Sequence, residues 1–151
     1  MTALREATLT PALLAQLLEL SRDWEAEGSC TGYRANAPDD ILGNRVFVAE
    51  AEGRVVGYLF GSVRRAEHMS SVMAEGAPCF EVEELYVRPE RRSAGIGTAL
   101  FCFAEAGVKE EAQWIVLSTA TKNWRAVLHF YIDELGMDFW HARLYKAIQR
   151  E

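Results

Sequence analysis

Hydrophobic side chains recur at helical spacing near the start of the chain. Between Thr10 and Gly28 they fall along one face of an α-helix: Leu13, Leu14, Leu17, Leu18 and Trp24. Thr10 before Pro11 is typical of a helix start, because threonine caps the first turn and proline suits its first position. Glycine at position 28 is typical of a helix end. The pattern therefore predicts a first helix between Thr10 and Gly28.

Polar loops and apolar runs follow this helix. Residues 28–43 are rich in glycine, asparagine, aspartate and proline, and they predict a loop in which Pro38 suits the start of a short helix. The runs RVFVAE and VVGYLFGSV flank the turn-prone AEGR, where Gly53 can adopt a positive φ, and so predict a β-hairpin. Residues 65–78 have no clear period and predict an exposed connection or a short interrupted element.

The second half of the chain has the order strand, helix, strand, helix. The segments CFEVEELYV and WIVLSTA are typical of strands, and GTALFCFAEAGVKEE between them has an apolar helical face formed by Leu100, Phe101, Ala104 and Val108. Such a crossover places its two strands parallel. Asn123 can cap a further helix, WRAVLHFYIDEL, which Gly136 ends. The last run, DFWHARLYKAI, predicts one or two closing strands.

Composition and charge limit the classes of protein that fit this pattern. A chain of 151 residues with 50% hydrophobic and 25% charged residues is expected to form one domain over residues 1–151. Its formal net charge of −6 repels phosphate backbones, so we expect no nucleic acid partner and a preference for cationic ligands. The chain has no apolar run of about 18 residues and no signal-peptide pattern at its start, which predicts no membrane span.

Three cysteines form an odd set without a CxxC spacing: Cys30, Cys79 and Cys102. Such a set is typical of reduced, mostly buried thiols in the cytoplasm. A nucleophilic Cys30 would need a partner base, and the neighbouring sequence offers none.

The segment RRSAGIG joins the strand CFEVEELYV to the helix that follows. Glycine at positions 95 and 97 lets several backbone N–H groups converge on a bulky anion, and the positive end of the helix dipole faces the same place. A diphosphate fits this arrangement, with Arg91 and Arg92 adding charge-assisted bonds, although a plain turn has the same glycines. The segment lacks the Gly-Lys-Ser/Thr of a Walker loop, and Leu100 stands where a dinucleotide fingerprint needs glycine.

The segment RRSAGIG after ELYVRPE resembles the acetyl-CoA-binding signature of the GCN5-related N-acetyltransferase (GNAT) superfamily, Q/R-x-x-G-x-G/A, with Arg92, Gly95 and Gly97 in its defined places. WIVLSTATKNWRAVLHFYIDELGM is similar to the next block of that superfamily. The resemblance covers about residues 45–148 and is strongest over 80–137. It implies an α/β fold of the GNAT type: a central, mostly antiparallel sheet, splayed between parallel strands 4 and 5 and flanked by helices.

The same resemblance implies how acetyl-CoA binds. The strand end is similar to the element whose backbone pairs with pantetheine, here Leu85, Tyr86 and Val87. The loop that cradles the pyrophosphate corresponds to Arg92, Ser93, Ala94, Gly95, Ile96, Gly97 and Thr98. Asn123 corresponds to a residue that contacts the pantetheine arm. Ser93 departs from the family pattern, where glycine is frequent, but serine is compatible with the turn.

The chemistry of acetyl transfer needs a base for the amine proton and an acid for the departing thiolate. The resemblance places Glu81 and Glu83 where several family members keep a basic or proton-relaying residue, with Glu84 or water as alternatives. Strict alternation puts Glu81 and Glu83 on one strand face with Leu85, and Glu84 on the other. A peptide N–H in the strand that ends at Val87 would stabilise the developing oxyanion.

Tyr131, in HFYIDELG, is similar to the tyrosine that protonates the coenzyme A thiolate in the family. A phenol with a pKa near 10 holds its proton at neutral pH. Its alternative role is aromatic packing beside Phe130. The neighbouring His129 is expected to have a surface or packing role, and we expect no metal site.

Charge alone indicates the acceptor. Acidic residues near the loop after the first helix favour a small cationic amine such as a polyamine, an aminosugar or a lysine-like group: Glu25, Glu27, Asp39 and Asp40. Trp24, Tyr33 and Glu84 are the candidate acceptor contacts, and core packing or solvation is the alternative for each. The rival functions are a protein N-acetyltransferase and a non-catalytic acyl-CoA-binding module. The run DFWHARLYKAI makes a homodimer edge plausible.

Overall fold

Five strands form one mixed sheet in a computed structural model that describes residues 1–149. The strands lie in sequence order and are β1 (Ala3–Ala7), β2 (Arg45–Ala51), β3 (Arg54–Arg65), β4 (Pro78–Val87) and β5 (Trp114–Leu117). Neighbours are antiparallel from β1 to β4, whereas β4 and β5 are parallel. The predicted mixed sheet with parallel fourth and fifth strands is confirmed. Strand β1 was not predicted, because its ALREA sequence has no apolar alternation.

Helices connect these strands. Within residues 1–149 they are α1 (Pro11–Glu27), α2 (Pro38–Ile41), α3 (Ile96–Val108) and α4 (Trp124–Leu128), with a 3-10 turn at Pro89–Arg91 and a π-helical segment at His129–Glu134. The predicted start of α1 is confirmed, because Thr10 Oγ1 accepts a hydrogen bond from the Leu13 N–H at 3.1 Å. Gly28 ends α1 with a φ of +62°. No helix in the described range has the length and apolarity to cross a membrane.

Each face of the sheet carries its own hydrophobic layer. Helix α3 covers one face with the four residues predicted for that role, Leu100, Phe101, Ala104 and Val108. Helix α1 covers the other face with Leu13, Leu17 and Leu20, which pack with Val48, Tyr58 and Phe60. Burial of these aliphatic and aromatic groups, at about 25 cal/mol per Å² of apolar surface, is the main term that holds the sheet between its helices.

The predicted hairpin and connection are both present. Strands β2 and β3 are joined by Glu52 and Gly53, whose φ angles of +55° and +76° suit a tight turn between twisted strands. Residues 66–77 form neither helix nor strand, as expected. The connection is less exposed than predicted, because Ala66 and Met73 are buried in a small cluster with Cys79.

A β-bulge distorts β4 where the glutamates lie. Phe60 pairs with Glu84 and Gly61 with Val82, so Glu83 is an extra residue in β4. A Cβ atom on Gly61 would lie 2.1 Å from the carbonyl oxygen of Glu81, so the bulge requires glycine at that position. The predicted alternation is therefore wrong: Val82 and Leu85 pack in the same α3-side layer. Glu81 and Glu84 instead pair with Ser62 and Phe60, which share a face of β3.

The sheet opens between β4 and β5. Their pairing runs from Cys79 opposite Trp114 to Val82 opposite Leu117 and stops there. Strand β4 continues to Val87, so its edge from Glu83 to Val87 has no β5 partner. This opening is the predicted splay.

The prediction of closing strands after Gly136 is wrong. Residues 138–149 form neither helix nor strand, and the structure leaves Leu144, Tyr145 and Ile148 88% to 93% exposed. The alternating apolar pattern suits a strand, but pairing needs a neighbouring edge, and the segment leaves the core after Met137. The predicted helix before it is present, divided into α4 and the π-helical segment.

The expectation of mostly buried thiols is wrong in part. All three cysteines are free, but only Cys79 is buried, whereas Cys30 is partly exposed and Cys102 is exposed. Cys102 lies on α3 next to the buried Phe101, so helical geometry turns its side chain away from the sheet.

Candidate active site

A turn of exposed backbone leads from β4 into α3. Ser93 and Gly95 adopt left-handed φ angles of +63° and +82°, which orient successive N–H groups toward one side. Among the turn and cap hydrogen bonds of residues 1–149, no backbone acceptor is assigned to the N–H groups from Ser93 to Thr98. The positive end of α3, a helix of 13 residues, points to the same place. We call residues 93–98 the amide cradle.

The two glycines of the signature have different structural reasons. A Cβ atom on Gly95 would meet nothing within 4 Å, so open space lies above its positive-φ backbone. A Cβ atom on Gly97 would lie 3.3 Å from the ring of Phe130, so this glycine admits close packing of the π-helical segment against α3. Only Gly95 combines the conformation and the space that an approaching anion needs.

The arginines before the cradle bind the protein itself. Arg92 donates to both Glu27 carboxylate oxygens at 2.9 and 3.0 Å, and its Nε donates to the Val87 carbonyl at 2.9 Å. Its guanidinium also lies over the Tyr86 ring, 5.3 Å from the centroid. Arg91 lies 3.5 Å from the Glu52 carboxylate. The predicted role of these side chains in holding a diphosphate is thus replaced by ties to α1, β4 and the β2–β3 turn.

The loop after α1 crosses to the chain that follows β5. Cys30 and Thr121 form an isolated antiparallel bridge. The Thr31 N–H donates to the Ala120 carbonyl and the Lys122 N–H to the Ser29 carbonyl, each at 2.8 Å. These bonds hold residues 29–31 against the segment that leads into α4. Asn123 stands at the N-cap position of α4 as predicted, but its side chain makes no capping hydrogen bond and is exposed.

Tyr131 lies in the π-helical segment, a conformation often found at functional sites. Its ring packs edge-on against Phe101 and Phe130, with centroids 6.4 and 5.0 Å away. Within residues 1–149 its hydroxyl has no assigned hydrogen bond, and no fully buried side-chain oxygen lacks a partner, so the hydroxyl retains access to solvent. Burial, with a smaller contribution from Cys30, raises the pKa of Tyr131 to about 12. Tyr131 is therefore a protonated phenol with an available donor.

Glu81 and Glu83 meet at Arg64 of β3. Arg64 Nη2 donates to Glu83 Oε1 at 2.8 Å, and Arg64 Nη1 lies 3.8 Å from Glu81 Oε2. All three side chains are partly exposed, so these ion pairs are weak and exchange readily with water. Glu83 is the first residue of β4 beyond its last pair with β5, which places it at the start of the opening.

Glu84 is the most shielded carboxylate of β4, and a single oxygen receives its hydrogen bonds. Tyr58 Oη donates to Glu84 Oε1 at 2.8 Å, and Tyr33 Oη and Asn36 Nδ2 donate to it at 3.0 Å each. No hydrogen bond is assigned to Oε2, which is not among the buried atoms without a partner, so it faces solvent. Burial raises the pKa of Glu84, and the three donors oppose that rise.

The candidate acceptor contacts come together around this carboxylate. Trp24 stacks on Tyr33 and Tyr86 with centroids 4.3 and 5.2 Å away. The Tyr33 hydroxyl is hydrogen bonded to Ser21 at 2.7 Å as well as to Glu84. Tyr86 is buried and donates to Glu27 Oε1 at 2.6 Å. These rings thus fix the loop after α1 onto the sheet, and Glu84 is the member of the group with a free polar atom.

Sequence reasoning missed four residues of this region: Ser21, Asn36, Tyr58 and Arg64. They lie on four elements, and only the pairing of β3 with β4 and the path of the loop bring them to the glutamates. An interior serine on the apolar face of α1 was the one signal available, because a buried hydroxyl needs a partner.

The comparisons with known proteins agree with this geometry. A model of the acetyltransferase (GNAT) domain family matches residues 43–133, more than half of the chain. The chain therefore belongs to the GNAT acetyltransferases, which the signature at Arg92, Gly95 and Gly97 had indicated. It is an N-acetyltransferase that uses acetyl-CoA as its acetyl donor. A search among curated protein sequences found no significant match.

Solved structures share the fold over almost the whole chain. A transcriptional regulator from Bacillus halodurans C-125 superposes with a TM-score of 0.71 at 23% identity, covering 98% of this chain and 100% of that one. The aminoglycoside N-acetyltransferase AAC(6')-Iy, in complex with a CoA bisubstrate analog, gives 0.69 at 16%, covering 99% of both chains. The aminoglycoside acetyltransferase meta-AAC0020 from an uncultured soil metagenomic sample, in complex with sisomicin, gives 0.69 at 18%, covering 98% of this chain and 97% of that one.

Replacing Gly95 with valine tests the amide cradle. The backbone φ of +82° makes a β-branched residue strained by roughly 1–2 kcal/mol, and the new side chain would project into the open space above the cradle. We expect the dissociation constant of acetyl-CoA, measured by calorimetry, to rise at least about tenfold.

Gly76→Val is the matched control for this substitution. Gly76 has a φ of +81° and equally open surroundings, but it lies in the connection before β4. It should lose similar thermal stability and bind acetyl-CoA normally. Equal losses of acetyl-CoA affinity in the two variants would contradict a binding role for the cradle.

Proposed function

We propose that the protein acetylates a primary amine of a small cationic acceptor. The observation that carries this proposal is the grouping of three carboxylates on β4 at the opening between β4 and β5, with Glu84 Oε2 facing solvent. An ammonium group is the natural partner of such a cluster. Two structural relatives are aminoglycoside acetyltransferases, whose acceptors carry several amino groups, and this supports the same acceptor class.

The cofactor fits the residues at the opening. Unpaired N–H groups of the amide cradle suit a diphosphate, and the free edge of β4 at Leu85 and Val87 offers backbone groups to pantetheine. Asn123 has an uncommitted amide at the far side of the opening. Bound acetyl-CoA supplies an acetyl group activated as a thioester. Backbone N–H groups along the same edge of β4 can stabilise negative charge on the acetyl oxygen.

We assign the base role to Glu83, with Glu81 as the alternative. An alkylammonium has a pKa near 10.4, so it must lose a proton before it can attack. Glu83 stands at the start of the opening, and its contact with Arg64 uses only Oε1. The second oxygen can accept the amine proton directly or through water, which is worth about a hundred- to ten-thousand-fold in rate. The ion pair with Arg64 holds the side chain toward the α1 face.

We assign the acid role to Tyr131. Its hydroxyl has no assigned partner within residues 1–149, and its pKa of about 12 keeps the proton in place until a strong base such as a thiolate forms beside it. Aromatic packing against Phe101 and Phe130 fixes the ring, so the donor is held in position rather than found by chance.

Glu84 is the proposed contact for a second positive charge of the acceptor. Its Oε1 is fixed by Tyr33, Tyr58 and Asn36, so Oε2 is held in one direction. A shielded carboxylate attracts a cation more strongly than one in bulk water. An acceptor with two amino groups can therefore place one near Glu83 and the other near Glu84.

The test is thiol release from acetyl-CoA across a panel of polyamines, aminoglycosides, amino acids and short lysine peptides. We expect turnover with a polyamine or an aminoglycoside and at least about tenfold lower kcat/KM for monoamines of similar size. Turnover with lysine peptides alone would replace the small acceptor with a protein. Binding of acetyl-CoA without turnover on any amine would favour a non-catalytic acyl-CoA-binding module.

A further inference from the structure

The end of the described chain carries apolar side chains that the chain itself does not cover. We call residues 138–149 the C-terminal segment; it forms neither helix nor strand. Its exposed fractions are 57% for Phe139, 42% for Trp140, 93% for Leu144, 88% for Tyr145 and 92% for Ile148. Contiguous exposed apolar groups on this scale mark an interaction surface.

The order of residues in the segment is that of a half-buried strand. Alternate positions give one face with Trp140, Ala142, Leu144 and Ile148, interrupted only by Lys146. The other face has His141, Arg143 and Tyr145, which suit solvent. The segment thus has the pattern of an edge strand that lies on a hydrophobic layer.

Strand β5 offers the matching edge. It is the last strand of the sheet and pairs only with β4, so its outer N–H and C=O groups are free. A groove of about 200 Å³, which we call the β5 groove, lies between the end of α3 and the start of β5; its lining includes Val108, Ala112, Trp114, Ile115 and Glu105. Trp114 is 43% exposed there. An apolar side chain from an added strand would fill this groove.

We propose that two copies of the chain form a dimer by exchanging their C-terminal segments. Each segment adds as a strand to the free edge of β5 in the other copy and places its Leu144 face over the β5 groove. Every copy has one unpaired strand and one unpaired edge, so a two-fold arrangement satisfies both at once. This exchange is independent of the acceptor proposed above.

Size, charge and fold support a second copy as the occupant. Two exchanged segments, each with a tryptophan, a leucine and an isoleucine, bury on the order of 1,200 Å² in total, which is the lower range for a stable interface. Arg143 and Lys146 give the segment basic character against a chain of formal charge −6, and Glu105 lies in the groove. The superpositions on solved structures cover 98% or more of this chain, so the segment belongs to the shared fold.

The test measures dimer dissociation by sedimentation velocity for the full chain. Leu144→Lys and Trp114→Lys change the two sides of the proposed contact, and each should raise the dissociation constant at least about a hundredfold, because two symmetric contacts are lost together. Tyr145→Ser is the control, since Tyr145 is as exposed as Leu144 but lies on the other face of the segment. It should change the constant by less than about threefold.

Mixing the two defective variants separates exchange from other contacts. A mixed dimer has one pair in which both sides are native, because the native segment of Trp114→Lys meets the native groove of Leu144→Lys. We therefore expect the mixture to dimerise at least about tenfold more tightly than either variant alone. Circular dichroism melting of each variant confirms that it is folded.

Two results would overturn the proposal. A monomeric wild-type chain at concentrations of about 100 μM would show that the segment closes on its own sheet or on nothing. A dimer whose mixed variants recover no affinity would show that the segments meet each other rather than the β5 groove. Ile148→Lys, at a position 92% exposed, replaces Leu144→Lys if the latter variant does not fold.

Discussion

Tyr131→Phe is expected to lower kcat for acetyl transfer by about a hundredfold or more, with little change in the KM for acetyl-CoA. The substitution removes the hydroxyl and leaves the ring that packs against Phe101 and Phe130. The measurement is the rate of thiol release at saturating acetyl-CoA with the best acceptor of the panel. Because the pKa of Tyr131 is raised to about 12, loss of this proton should not lower the wild-type rate below about pH 11.

The control for this prediction is the same chemical change at an exposed position. Tyr145→Phe removes a hydroxyl from a side chain that is 88% exposed, so kcat should remain within about twofold of wild type. An unchanged kcat in Tyr131→Phe would refute the acid role and leave Tyr131 as a packing residue. A raised KM for acetyl-CoA at constant kcat would instead indicate a contact made equally in the ground state.

Glu84→Gln should raise the KM for a diamine or polyamine acceptor about 10- to 100-fold, because a hydrogen bond to a charged group is worth roughly 1.5–3 kcal/mol. Glutamine keeps an oxygen for the donors Tyr33, Tyr58 and Asn36, so the loop after α1 stays in place. The readout is the KM for the acceptor at neutral pH. Glu75→Gln, at an exposed position in the connection before β4, is the matched control.

The same variant should separate binding from stability. Burial raises the pKa of Glu84 above its unfolded value, so between the two pKa values the folded state holds the extra proton. The stability of the wild type should therefore increase as the pH falls through that window, and above it the buried charge lowers stability. Glu84→Gln removes this dependence and should melt at an equal or higher temperature near pH 7. A lower melting temperature with an unchanged KM would assign Glu84 a purely structural role.

Local signals predicted the elements whose contacts are local. Helix α1 has a capping threonine, a first-turn proline and a terminal glycine, and its periodic leucines need only one flat partner. The apolar face of α3 was predicted residue by residue for the same reason. The C-terminal segment was predicted as strand from an equally clear pattern, but a strand exists only against an edge, and the sequence does not say which edge is available.

The candidate site divides along the same line. Gly95 and Tyr131 were predicted from a motif whose residues are close in sequence. The carboxylates were predicted by type, but their directions depend on the bulge at Glu83, and that bulge depends on Gly61 in another strand. The environment of Glu84 comes from Asn36 and Tyr58, whose distances along the chain hide their contact. Chemistry was thus predictable where one segment supplies it.

The bulge in β4 separates what a residue touches from what it controls. Gly61 contacts no proposed ligand, yet only a residue without a side chain lets the backbone at Glu81 approach so closely. A methyl group there would force β4 into regular pairing and rotate the glutamates toward the wrong layer. In a screen of variants, such a change would imitate the loss of an active-site carboxylate from a position outside the site. The strand that carries the chemistry takes its shape from a neighbour that performs none.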